Sequence, residues 1–237
     1  MRRRLALPLS AAAVVLGIAA AAAVPPVPGL DQMASAERAR VESVVKNAFA
    51  TTRVELDPYA TRRDVWEYML DHPEFATHVT RALKLGRYRV WQEDGVLRID
   101  DGWGVTGRFT IVHAEPGKRI AYGRGSFTHG FLPEIHGVAV ATLEYAFQPG
   151  GDGRTAVVTV GTAFVQTDNR AINALGRLAA PIVQNRADSE ARRLLRMFAK
   201  ASRALEEDPA QVYRLVSEQP DVPRRELEDF RRMLGLR

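Results

Sequence analysis

GVAVATLEYAF (residues 137–147) and RTAVVTVGTAFV (154–165), joined by PGGDG (149–153), decide the fold class of this chain. β-Branched and aromatic residues dominate both runs, and the Gly- and Asp-rich link between them suits a tight turn. Together they predict a β-hairpin. Working upstream, Tyr88 to Gln92 is followed by the turn Glu93-Asp94-Gly95, after which Leu97 and Ile99 alternate with Arg98 and Asp100. Val105, Phe109 and Ile111 share one parity, and Thr106, Arg108 and Thr110 take the other. Glu115-Pro116-Gly117 then turns into Lys118 to Ser126. Five or six strands between Gly86 and Val165, with no helix among them, predict an antiparallel meander.

Helices flank the meander. Val41, Val44, Val45 and Ala48 recur at helical spacing, which predicts a short amphipathic helix over Ala36 to Phe49. Thr51 to Asp57 alternates as a first strand, and Asp57-Pro58 ends it in a turn. Thr61 has the chemistry of an N-cap, with Asp64 as its acidic partner, for a helix that turns Val65, Trp66 and Met69 inward. Pro73 interrupts that helix, Phe75 to Leu83 forms another, and Gly86 closes it. Beyond the strands, Ile172, Leu175, Ala179, Ile182, Ala187, Ala191, Leu194, Leu195, Phe198, Ala201 and Leu205 trace one apolar stripe along a long helix. Pro181 predicts a kink or a restart in it. Asp208-Pro209 opens a further helix to Ser217, and Pro223 to Leu234 forms a last one with Leu227, Phe230 and Leu234 inward. The class is α+β, a curved antiparallel sheet wrapped around a long C-terminal helix.

The 237 residues are 46% hydrophobic and 26% charged, enough to bury a core. No cysteine is present, which excludes disulfides, thiolate nucleophiles, thiolate metal sites and a lipoprotein anchor. The net charge is +5, and it falls by two, to +3, without Arg2, Arg3, Arg4 and Asp31. The basic residues are scattered, and only Lys46, Lys84, Lys118 and Lys200 are lysines, so arginine bias accounts for the charge and no nucleic-acid partner is expected. Arg2 to Arg4 followed by the uncharged run Leu5 to Val24 has the form of an export signal. Ala21-Ala22-Ala23 offers one cleavage site and Ala34-Ser35-Ala36, which would leave Glu37 at the terminus, offers a slightly better one. Uncleaved, residues 5–24 are long enough to anchor in a bilayer. Either way the body is expected outside the cytoplasm, in the periplasm or cell envelope. No G-x-G-x-x-G or G-x-x-x-x-G-K motif is present, and no cofactor is expected.

One long helix covers only part of one face of such a sheet, so the rest of that face is filled by side chains or left as a pocket. Large aromatics on successive strands (Trp91, Trp103, Phe109, Tyr122, Tyr145, Phe164) alternate with glycines that bend a sheet and leave space (Gly102, Gly104, Gly107, Gly123, Gly125, Gly161). The order Asp64-Val65-Trp66-Glu67-Tyr68-Met69-Leu70-Asp71, then strands, then Ala180-Pro181-Ile182 within a long terminal helix, resembles the START-like superfamily of helix-grip domains. That superfamily includes polyketide cyclases, coenzyme Q-binding proteins and lipid-transfer domains. The resemblance implies a deep apolar cavity between sheet and C-terminal helix that accepts a lipid, sterol, quinone or polyketide. The resemblance covers about Thr51 to Leu205, and with the leader and flanking helices the chain divides into an export signal or anchor (1–36), an N-terminal helix (37–50), a helix-grip domain (51–206) and a C-terminal helical extension (207–237). The expected ligand-binding residues are Trp91, Trp103, Phe109, Tyr122, Phe131, His136, Tyr145 and Phe164. Phe131, Leu132 and Pro133, in a Gly-bounded connection, offer an apolar tip for transient membrane contact or a lid.

Catalytic signals are sparse. His72, His78, His113, His129 and His136 do not have the spacing that puts two metal ligands on one helical face. His129, Glu134 and His136 cluster in sequence, Ser126 lacks a G-x-S-x-G setting, and Asp100-Asp101 fits a strand-end turn. Three functions remain open. The first is binding and carriage of a hydrophobic small molecule. The second is a cyclase- or hydrolase-type enzyme using the same cavity with His136, Glu144 or Tyr122 as acid–base groups. The third is an interaction module that docks a protein or an anionic membrane through Arg224, Arg225, Arg231 and Arg232.

Overall fold

The computed structural model describes residues 25–128, 134–151, 153–168 and 176–236, with the side chains of 176–180 left out. The leader expected at residues 1–24, the apolar tip Phe131, Leu132 and Pro133, His129, and Ile172 and Leu175 of the apolar stripe lie outside the described residues. Within them the chain is α+β, built on one open antiparallel sheet of seven strands. The elements are α1 (Ser35–Lys46), β1 (Ala50–Ala60), α2 (Arg63–Asp71), α3 (Pro73–Ala82), β2 (Arg89–Glu93), β3 (Val96–Asp100), β4 (Val105–Glu115), β5 (Lys118–Phe127), β6 (Ile135–Pro149), β7 (Thr155–Thr167), α4 (Gly176–Glu207), α5 (Pro209–Ser217) and α6 (Arg224–Leu234).

The meander runs β2 to β7 in order, and β1 joins at the far edge beside β7. The hairpin read from 137–165 pairs Val140 with Phe164 and Pro149 with Thr155. Asp94 and Gly95 both take positive φ, 52° and 75°, as the two-residue turn between β2 and β3 requires. Strand alternation gives the sheet an outer face under α1 and an inner face under α4. On the outer face Val41 and Val44 bury against Ile120, Val138, Val140 and Phe164, joined by Val27 and Met33 from the segment before α1. On the inner face Tyr59, Tyr145 and Val157 pack with Trp66 and Ala199.

Several local expectations are corrected. Asp57-Pro58 does not end the first strand: β1 continues to Ala60 through a register shift between Leu56 and Tyr59. Proline fits there because β1 is an edge strand and the bulge needs no amide donor. Thr61 is not the N-cap of α2, because its amide extends the sheet by donating to the Thr155 carbonyl at 3.0 Å. Arg62 takes the cap position instead, and Asp64 accepts from the Val65 amide at 2.9 Å. Lys84, at φ 54°, makes the left-handed turn after α3, whereas Gly86 is small because the Met197 sulfur would lie 2.5 Å from a Cβ there. α4 runs through Pro181 without a restart. The C-terminal helices α5 and α6 pack against the body, where Val212, Val216, Phe230 and Leu234 share a core with Val65, Phe75, Val79 and Leu205.

Candidate ligand site under the long helix

α4 is fastened along two sides. On one side Gln184 acts as an extra strand residue: its Nε2 donates to the Thr51 carbonyl at 2.8 Å and its Oε1 accepts from the Thr51 amide at 3.2 Å. About three turns further on, Leu195 occupies the space that a Cβ on Gly161 would need, 2.9 Å away. On the other side Arg186 pairs with Asp101, a carboxylate left only 2% exposed in the β3–β4 connection. Asp101 is pre-aimed by its own turn, accepting from the Trp103 amide at 2.7 Å and the Val105 amide at 2.9 Å. Glu190 accepts from the Tyr88 hydroxyl and pairs with Arg186 at 3.0 Å, and Arg193 lies 4.1 Å over the Trp103 ring. Burial, and then the bond to Glu190, pushes the Tyr88 phenol up, so it stays a donor.

Between those two attachments lies the middle of the inner face. At 100° per residue, Leu194 points midway between the Gln184–Leu195 side and the Arg186–Arg193 side, toward the middle of the sheet. It nevertheless remains 39% exposed. Register puts Leu97 and Ile99 of β3, Phe109 and Ile111 of β4, Ala121 and Gly123 of β5, and Ala139 and Ala141 of β6 on the same inner face. Every one of these is apolar or lacks a side chain, none is buried, and Ile111 is 40% exposed. At the β1–β7 edge of the same face Ala50, Val54 and Val157 are buried. The middle of the inner face is therefore an apolar surface that the protein's own side chains leave partly exposed.

The glycines shape this surface differently from the sequence expectation. Gly107, Gly125 and Gly137 stand opposite one another across β4, β5 and β6. A Cβ on Gly107 would lie 2.7 Å from the Arg124 carbonyl, and those on Gly125 and Gly137 would meet the Thr106 and Gln166 carbonyls. Neighbouring backbone, not empty space, takes up the missing volume, and the row lets the strands crease.

The eight expected ligand-binding residues do not converge. Phe109 lies on this inner surface, and Trp103 helps to hold α4. Tyr145 is buried against Trp66, with ring centroids 4.4 Å apart. Phe164 and Tyr122 lie on the outer face beneath α1. Trp91 and His136 also face outward, and together line an outer trough. Phe131 lies outside the described residues. Glu144, opposite Lys118, shares the outer parity of His136 and Tyr122, so none of the three lies on the inner face. Among the described residues no group of three His, Asp or Glu side chains is placed to hold a metal. Leu97, Ile99, Ile111 and Leu194 are apolar positions in the sequence reading but not expected ligand contacts, and Ala139 and Ala141 are not among its expectations. The signal for part of them was present: Gly137, Ala139 and Ala141 occupy every second position of β6, an inner-facing row of minimal side chains.

No family model matches the chain, and no curated protein matches it. Among solved structures, the hypothetical protein jhp0584 from Helicobacter pylori is similar over 65% of this chain and 86% of its own, at 11% identity and a TM-score of 0.37. The protein XoxI from Bacillus cereus is similar over 66% of this chain and 98% of its own, at 13% identity and a TM-score of 0.37. Both likenesses are too distant to assign a fold family or an activity.

Proposed function

We propose that this chain is an exported helix-grip protein of START-like type that binds, and carries through the cell envelope, a hydrophobic small molecule such as a lipid, sterol, quinone or polyketide. One observation carries the proposal: the apolar middle of the inner face stays accessible beneath a helix fastened on both sides of it. An acyl or polyprenyl chain held there gains about 0.8 kcal/mol for each CH₂ withdrawn from water, so affinity needs no special polar constellation. Catalysis is the weaker alternative, because His136, Tyr122 and Glu144 lie on the opposite face. The buried positions of Val27 and Met33 favour processing after Ala23 over processing after Ala36, which would remove both from the core. No helix among the described residues is long and apolar enough to cross a membrane.

Native mass spectrometry and solvent extraction of protein secreted by its own host test the proposal. Wild type is expected to carry an apolar molecule. Ala141→Phe, which places a ring on that surface, is expected to be folded and empty. Wild-type protein that is empty from several hosts, or an Ala141→Phe variant that is loaded like wild type, overturns it.

A further inference from the structure

Ladder register puts three arginines in a row on the outer face. Arg98 of β3 stands opposite Arg108 of β4, which in turn stands opposite Arg124 of β5. Trp91 of β2 continues the row beyond Arg98 and is 42% exposed. Directly opposed residues on neighbouring strands are about 5 Å apart, so three guanidinium groups share a strip of sheet, an arrangement that like-charge repulsion disfavours. We propose that this strip is an oxyanion site for a small molecule bearing phosphate or sulfate groups, with a planar or apolar portion laid on Trp91.

Four features favour it. The row lines a trough of about 680 Å³ that also holds His136 and Ser126. α1 packs over Ile120, Val138, Val140 and Phe164, and leaves Arg108 and Arg124 exposed. Arg98 pairs with Glu93 at 2.8 Å and Arg124 reaches Asp168 at 3.4 Å, but the Arg108 guanidinium between them has no hydrogen bond or ion pair among the described residues. Guanidinium groups present paired N–H donors that match the oxygens of phosphate and sulfate. The trough shape and the presence of Glu93 and Asp168 within it suit a discrete anion in preference to a continuous anionic bilayer. This site is on the face opposite that apolar surface and does not depend on it.

Calorimetric titration of the folded protein with inorganic pyrophosphate at low salt tests the site, with Trp91 fluorescence as a second readout. Saturable binding is expected, weakened at least tenfold in Arg108→Gln. It is expected to be unchanged in Arg192→Gln, an exposed arginine on α4, and in Ala141→Phe, so that the two proposals fail separately. Anionic phospholipid vesicles whose binding pyrophosphate displaces would make a lipid headgroup the source of the oxyanion. Competition by soluble phosphate esters alone would make it a free metabolite. Absence of saturable binding by wild type, undiminished binding in Arg108→Gln, or retention of single-stranded DNA that pyrophosphate does not displace would each overturn the proposal.

Discussion

Arg108 stands where a sheet would gain most from a neutral or β-branched residue, between two other arginines at its cross-strand positions. Opposed like charges cost a few tenths to about 1 kcal/mol. Arg108→Thr is accordingly expected to raise the thermal midpoint in low salt, with the gain shrinking as salt is added; a lowered midpoint would show that the arginine stabilises the free protein. Tyr59 gives a second residue-scale test. Burial pushes its phenol up to about 12, even though the Trp66 indole donates to it at 2.9 Å. Below about pH 10 both folded and unfolded chains keep the proton; between about 10 and 12 only the folded chain does, so stability falls across that window. Tyr59→Phe should be about 1 kcal/mol less stable at pH 7, because the Trp66 N–H loses its acceptor, and should show a shallower alkaline decline in denaturant titrations. The parity that turns Arg98, Arg108 and Arg124 outward was readable from the strand patterns. Their alignment was not, because alternation fixes a face and leaves register free in steps of two residues.

The decisive element is α4. Its apolar stripe from Ala187 to Leu205 was legible, as was its length, since both follow from 3.6-residue periodicity. Its attachments were not. Asp101 read correctly as part of a turn, but nothing local marks it as the partner of Arg186, 85 positions away. Arg186→Met leaves that carboxylate buried and unpaired, which is expected to cost about 3 kcal/mol in denaturant unfolding. The same variant should release a bound apolar molecule faster, since on that side the helix would keep only its Glu190–Tyr88 and Arg193–Trp103 contacts. Turn chemistry misplaced three boundaries for a common reason: Pro58, Thr61 and Gly86 each act on tertiary neighbours. Pro58 sits in the bulge of an edge strand, the Thr61 amide reaches β7, and Gly86 makes room for Met197.

At the scale of the molecule, the C-terminal helices complete a core. Val212, Val216, Phe230 and Leu234 are buried with α2, α3 and the end of α4, and each contributes roughly 1.5–3 kcal/mol on burial. Deleting residues 208–237 is therefore expected to abolish cooperative unfolding, monitored by circular dichroism; a truncated chain with an unchanged midpoint would restore the extension as a separate appendage. The segment from Val27 to Met33 belongs to the body in the same sense. The aromatics that sequence distributed over one cavity are divided by the sheet: Phe109 and Tyr145 inside, Trp91, Tyr122 and Phe164 outside. Strand parity assigns each residue to one of two faces, and only the covering helices say which face is solid and which is open.

Alternation, turn residues and helical periodicity are properties of a few consecutive side chains, and they alone determined the α+β class, the β2–β7 meander, and the long helix with two short ones after it. The tertiary structure decided the placement of β1 beside β7, the alignment of three arginines, the two-sided fastening of α4 and the partly exposed apolar surface beneath it. These depend on contacts between positions tens of residues apart, and burial is a property of the neighbours that a side chain meets, which its own stretch of chain does not encode.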